Sequence, residues 1–166
     1  MLAVVVAYHK NDKGYTDRFE NMLKSIDFKN NEKNIFITLD GATPDYIAST
    51  VEKFKLLPEN IIYSETNVGN YVLKFKFIES IGKSFRYVKF CDFDDKSATY
   101  KKMLRICQEY KDSDLIVCRS SKWSFFVNYW DKIFSTKLLS KIPKFKCFTG
   151  GDVIICWDAF YNCFKY

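Results

Sequence analysis

Proline and glycine are scarce, 3 and 6 among 166 residues. No low-complexity or repeated segment occurs, so a fibrous chain, a linker and a repeat array are all excluded. Histidine is scarcer still: His9 stands alone, and a lone His makes no metal site. No C-x-x-C pair exists among Cys91, Cys107, Cys118, Cys147, Cys156 and Cys163, most of which sit inside apolar runs such as "DLIVCRS" and "VIICWDAF". That pattern fits buried thiols in a reducing compartment better than a disulfide framework. Long apolar runs are also missing. The opening "MLAVVVAYHKND" is too short for a signal peptide, and no window approaches the ~18 apolar residues a membrane span needs. A cytoplasmic, soluble protein without a membrane span is expected, with peripheral membrane association and a homo-oligomer left open. The 26 basic and 20 acidic residues give a net charge of +6, but the lysines form no block and no basic helix. With no nucleic-acid motif either, the expected partner is a phosphate-bearing small molecule rather than nucleic acid.

What the chain does have is core material. Aromatics make up 18% of it, with 16 Phe and 11 Tyr, inside a composition that is 48% hydrophobic. This length suits one well-filled core and is too short for two ordinary domains, so residues 1–166 are read as a single domain. Leu2 to Tyr8 is a continuous apolar run, as in a strand buried on both faces. A helical stripe of Tyr15, Phe19, Met22, Leu23 and Ile26 follows, with Thr16 or Asp17 as cap. "NIFITLD" predicts a second strand, and Pro44 opens a helix through Phe54. "NIIYS" predicts a third strand, "NVGNYVLKFKFIESIG" a third helix, "FRYVKFCD" a fourth strand. "SATYKKMLRICQEYK" continues as a helix and "DLIVCRS" as a fifth strand. Strict alternation with short connections implies an α/β fold, a parallel sheet with helices on both faces. Beyond Arg119 the pattern loosens. Trp123, Trp130 and their aromatic neighbours precede a short helix over 136–141, and "GGDVIICWDAFYNCF" predicts a last helix.

In open α/β sheets, ligands gather outside the carboxyl ends of the strands. Three polar segments fall at such ends: "AYHKND", "LDGATPD" and "DFDDKS". In the last, Asp92 and Asp94 are two apart on a strand end and point to one side, where they can converge on a hard cation with Asp95 beside them. The same carboxylates would equally serve as a solvated turn capping the next helix. Asn67, Gly69 and Lys74 stand at a helix start whose N–H groups could face a phosphate, or could be an ordinary capped loop.

In order along the chain, "VVVAYHKND", "NIFITLDGATPD", "NVGNYVLK" and "YVKFCDFDD" resemble the signature of the GT-A glycosyltransferases, especially the inverting family 2. The resemblance covers about residues 1–95, which it makes a nucleotide-sugar donor half; about 96–166 become a shortened acceptor half. It implies a GT-A, Rossmann-like, mostly parallel sheet. It also implies transfer of one sugar from a nucleoside diphosphate sugar, a UDP-sugar above all, to a glycan or other hydroxyl acceptor, with inversion. By the same resemblance Ala7, Tyr8 and His9 hold the base, Asp40 contacts the nucleoside, and Asn67, Gly69 and Lys74 lie near the donor. Asp92, Asp94 and Asp95 carry a divalent metal, Mn2+ or Mg2+. Asp152 in "FTGGDVII" matches the general base, although Gly151 stands where the family often has Glu. It would equally suit the N-cap of the last helix. The Q-x-x-R-W motif of processive synthases is absent, which points to a single transfer.

Two other readings remain. "DFDDKSAT" is similar to the D-x-D-x-T motif of haloacid-dehalogenase-type, Mg-dependent phosphatases, but follows the fourth strand where theirs follows the first. A degenerate glycosyltransferase-like subunit would bind nucleotide without turnover. Nucleotidyltransferases share much of the sheet but carry a Gly-rich stretch after the first strand, which "AYHKNDKGY" lacks.

Overall fold

The computed structural model describes residues 1–8, 13–95, 97–117 and 132–142. His9, Trp130, Asp152 and the expected last helix lie outside them. Six strands are seen: β1 Leu2–Tyr8, β2 Ile35–Asp40, β3 Ile61–Ser64, β4 Tyr87–Asp92, β5 Leu115–Val117 and β6 Lys132–Ser135. The helices are α1 Lys13–Ser25, α2 Phe28–Asn31, α3 Pro44–Phe54, α4 Asn70–Ser80, α5 Tyr100–Glu109 and α6 Thr136–Leu139.

The strands form one sheet in the order β3-β2-β1-β4-β6-β5. Its centre is β1, all seven residues of which are buried, in parallel register with β2 (Val6 opposite Ile37) and with β4 (Val6 opposite Cys91). Chain order runs outward from β1 to β3, then crosses back to β4 on the other side of β1. That reversal makes the gap between β1 and β4 a topological switch point, where α/β sheets leave a crevice at the carboxyl edge.

Side chains alternate between two cores, as a strand's period of two requires. On one face Val4, Val6, Ile35, Ile37 and Cys91 meet Phe19 and Met22 of α1, Ile26 just after it, Phe54 of α3 and Met103 and Cys107 of α5. On the other, Ala3, Val5, Phe36, Val88, Phe90 and Phe134 meet Tyr71, Phe75, Phe77 and Ile78 of α4, and Leu138 and Leu139 of α6. Helices therefore cover both faces, and α/β with a mostly parallel sheet is the observed class.

Two elements depart from expectation. α1 begins a turn before Thr16, with Tyr15 set edge-on against Phe93 at 4.8 Å between ring centroids. More consequentially, β5 does not lie beside β4. The unforeseen β6 inserts between them, antiparallel to both, with Tyr87 opposite Ser135 and Ile116 opposite Ile133. No helix among the described residues is long and apolar enough to cross a membrane.

Candidate functional site

At the carboxyl edge β2 ends in Asp40, β1 in Tyr8 and β4 in Asp92, so three of the sequence-nominated segments share one rim of the sheet. Asp40 turns its carboxylate onto the loop before α4. Oδ1 accepts the N–H of Val68 at 2.9 Å and Oδ2 that of Gly69 at 2.7 Å. Gly69 holds φ at +90°, a value that favours glycine and that aims its N–H at Asp40. Gly41, at φ +66°, lets the chain turn directly after Asp40, and its Cα hydrogen faces Asn67 where a Cβ would come within 3.8 Å. The N–H groups of Val68 and Gly69 therefore point at Asp40. Each Asp40 oxygen keeps a second lone pair. Asn67 is exposed at the rim.

From this braced start α4 runs inward, burying Tyr71, Leu73, Lys74 and Phe75. Lys74 is 3% exposed, yet its ammonium returns to the edge: Nζ lies 3.9 Å from Asp92 Oδ1 and 5.7 Å from the centroid of the Phe90 ring. At that separation the ion pair is a through-space attraction rather than a hydrogen bond. One element thus links the end of β2 to the end of β4.

The three aspartates at the end of β4 and just after it point three ways. Asp95 folds back, its Oδ2 accepting the Asp92 N–H at 2.7 Å while its own N–H donates to Asp92 O. Burial pushes the Asp95 carboxyl up to about 6; the Asp92 N–H opposes the shift, and the charges of Asp92 and Asp94 add to it. Asp94 faces outward, with Oδ2 3.5 Å from Arg18 Nη1 of α1. Asp92 faces Lys74. Among the described residues no group of three or more His, Cys, Asp or Glu side chains is gathered to hold a metal ion. The residues do fit a cation that brings oxygen ligands with it. Asp92 and Asp94 have side chains 41% and 42% exposed, and magnesium is commonly held by one or two carboxylates together with substrate phosphates. Asp95 then braces the turn that carries both.

Ala7 and Tyr8 present no side chain to solvent. Ala7 is fully buried beside Asp92, and its carbonyl accepts the Phe93 N–H at 2.9 Å. Tyr8 stacks on Phe19 at 4.2 Å, with the edges of Phe54 and Phe93 around it. Burial pushes the Tyr46 hydroxyl of α3 up to about 12, with the adjacent Tyr8 hydroxyl adding to the shift. A cavity of about 500 Å³ lies elsewhere, between α4 and α6, lined by Phe75, Ile78, Leu139, Lys83 and Lys137.

No protein-family model and no curated protein matches the sequence. Solved structures do. The chain is similar to residues 1–349 of S. aureus TarS in complex with UDP-GlcNAc, at 21% identity and a TM-score of 0.64, covering 97% of this chain and 53% of that one. The same TarS segment in complex with UDP gives 20% identity and 0.65, covering 97% and 55%. A cytidylyltransferase from Leptospira borgpetersenii gives 10% identity and 0.66, covering 97% of this chain and 71% of that one. The chain thus spans about half of the TarS segment, and at these identities what is shared is the fold.

Proposed function

We propose that the chain binds a nucleoside diphosphate sugar, a UDP-sugar foremost, and transfers one sugar to an acceptor hydroxyl with inversion, dependent on Mn2+ or Mg2+. The observation that carries the reading is the double tie made by the start of α4, from Asp40 on one side and to Asp92 on the other. It brings the ordered signature segments to the switch point of a fold shared with a TarS segment that binds UDP and UDP-GlcNAc.

In this reading Ala7, Tyr8 and His9 hold the base, Asp40 contacts the nucleoside, and the turn that Asp40 braces sets Asn67 and Gly69 near the donor. Asp94 and Asp92 hold the cation with the donor's phosphates, and when bound it supplies Lewis-acid charge to the departing diphosphate. Lys74 adds a fixed positive charge at the same place, preorganised because its stem is packed inside the core. Asp152 takes the acceptor proton as the acceptor oxygen bonds to the anomeric carbon. The bond from that carbon to the phosphate oxygen breaks, and its electron pair leaves with the nucleotide. A base in this role must come within hydrogen-bonding reach of the acceptor oxygen.

The test is a panel of nucleotide-sugars, with and without manganese, read by nucleotide release. Release from one donor that is lost in Asp94→Ala, by on the order of hundreds-fold, supports the reading; full activity of that variant contradicts the metal role. Stabilisation by UDP without turnover under any acceptor would make the chain a binding module. The likeness to a cytidylyltransferase favours a second reading, nucleotidyl transfer. Inorganic diphosphate released from CTP or UTP with a sugar phosphate would decide for it.

A further inference from the structure

Both carboxylates assigned to the cation face a cation of the chain itself. Asp92 Oδ1 lies 3.9 Å from Lys74 Nζ, and Asp94 Oδ2 accepts from Arg18 Nη1 at 3.5 Å, across 76 residues of sequence. The two partners come from opposite sides of the sheet. Lys74 belongs to α4, whose Phe75 and Phe77 pack on one face, and Arg18 to α1, whose Phe19 and Met22 pack on the other. They differ in freedom. The Lys74 side chain is 4% exposed and that of Arg18 60% exposed, so Lys74 is held by the packing around its stem while Arg18 can swing into solvent at the cost of a single contact. Tyr15, also on α1, keeps its ring edge-on against Phe93, so the segment after β4 stays docked on α1 whether or not Arg18 holds Asp94. Arg18 lies outside all four signature segments, and the donor-site reading gives it nothing to do.

We propose that Arg18 is a displaceable counter-ion of Asp94, competing with the divalent cation for this carboxylate and so setting how tightly the cation is held. In the free protein the guanidinium holds Asp94 Oδ2. A divalent ion that takes the same oxygen displaces it, because two positive groups in contact with one carboxylate repel each other. Exposed ion pairs are weak, so the competition lowers cation affinity only about two- to five-fold. Arg18 thus tunes the site without closing it. This rests on the metal-dependent nucleotide-sugar reading and adds to it a residue of α1.

The experiment titrates Mn2+ into the whole protein, without nucleotide and with saturating UDP, and reads free Mn2+ by electron paramagnetic resonance. Wild type is compared with Arg18→Gln, Arg18→Lys and Arg86→Gln. The last is a control for charge alone: Arg86 is 56% exposed, stands before the start of β4 and forms a 3.6 Å pair with Asp112. Glutamine matches arginine in helix propensity, so α1 is retained in Arg18→Gln. Arg18→Gln is expected to bind Mn2+ about two- to five-fold tighter than wild type in both conditions at low salt. Arg18→Lys and Arg86→Gln should stay within about two-fold of wild type. At about 0.5 M salt the gain in Arg18→Gln should shrink, because an exposed pair is screened. If Arg18→Gln binds Mn2+ no tighter than wild type, or Arg86→Gln tightens it as much, the competition is overturned while the Mn2+ that wild type binds with UDP still upholds the metal reading. If neither wild type nor any variant binds Mn2+ in either condition, the metal reading falls and the competition with it.

Discussion

Asp40 is a structural part first, because both its oxygens accept main-chain N–H groups from the loop that starts α4. Hydrogen bonds to a charged group contribute about 1.5–3 kcal/mol each when buried, and less here because the loop is half-buried. Asp40→Ala should therefore lower stability by about 2 kcal/mol and the unfolding temperature by roughly 4–8 °C for a chain this size. Asp40→Asn, which keeps one acceptor, should lose about half as much. Calorimetry without nucleotide is the check, and an unchanged unfolding temperature would show that these two hydrogen bonds do not hold the loop. The sequence made Asp40 visible, since an acid closes the apolar run "NIFITLD", but it hid the partners. Main-chain N–H groups 28 and 29 residues away leave no mark except the glycine that a positive φ demands. Arg18 was hidden differently. An arginine on a helix looks merely solvent-facing until the fold brings Asp94, 76 residues on, beside it.

Five strands were legible: β1, β2 and β4 as long apolar runs, because complete burial on both faces leaves no room for polar alternation, and β3 and β5 as the short runs "NIIYS" and "DLIVCRS". β6 was not legible. It has four residues and begins with a lysine, and its partners β4 and β5 lie upstream across segments of uneven pattern. Its one local signal is Ser135 immediately before "TKLL", and that serine does double duty. Its Oγ accepts the Leu138 N–H at 3.0 Å, capping α6, and donates to Asp114 Oδ1 at 2.7 Å, tying β6 to the entry of β5. Ser135→Ala removes a cap and leaves the Asp114 carboxylate with one bond fewer, a loss of about 1–2 kcal/mol. The unfolding temperature should fall roughly 2–8 °C, with the loss concentrated in β5, β6 and α6 when followed by amide exchange. Uniform loss of protection across all six strands would show that the edge does not depend on this serine. Tyr87 makes a similar tie from β4: its hydroxyl lies 2.7 Å from Lys111 O and 3.0 Å from the carbonyls of Tyr110 and Ser113. One proton serves a single carbonyl at a time, so Tyr87→Phe should cost about 1 kcal/mol and not three times that.

At the scale of the whole molecule the charge is dispersed while the site's charge is local, and salt separates the two. The net charge of +6 is spread along the chain, and on the proposed reading it would attract an anionic diphosphate from a distance; that field has a range of about 10 Å at 0.1 M salt and about 3 Å at 1 M. Lys74 points from α4 into the core and keeps its ammonium beside Asp92. Buried pairs of this kind are screened much less. Between about 20 mM and 0.5 M salt the association rate of UDP should therefore fall about three- to ten-fold, while its dissociation rate changes by less than about two-fold. Uridine, lacking the phosphates, should show neither effect. Stopped-flow binding at fixed magnesium measures all three. A dissociation rate that climbs with salt as steeply as association falls would mean the diphosphate is held by exposed lysines. The proposal that the nucleotide's charge is met beside Lys74 would then fail.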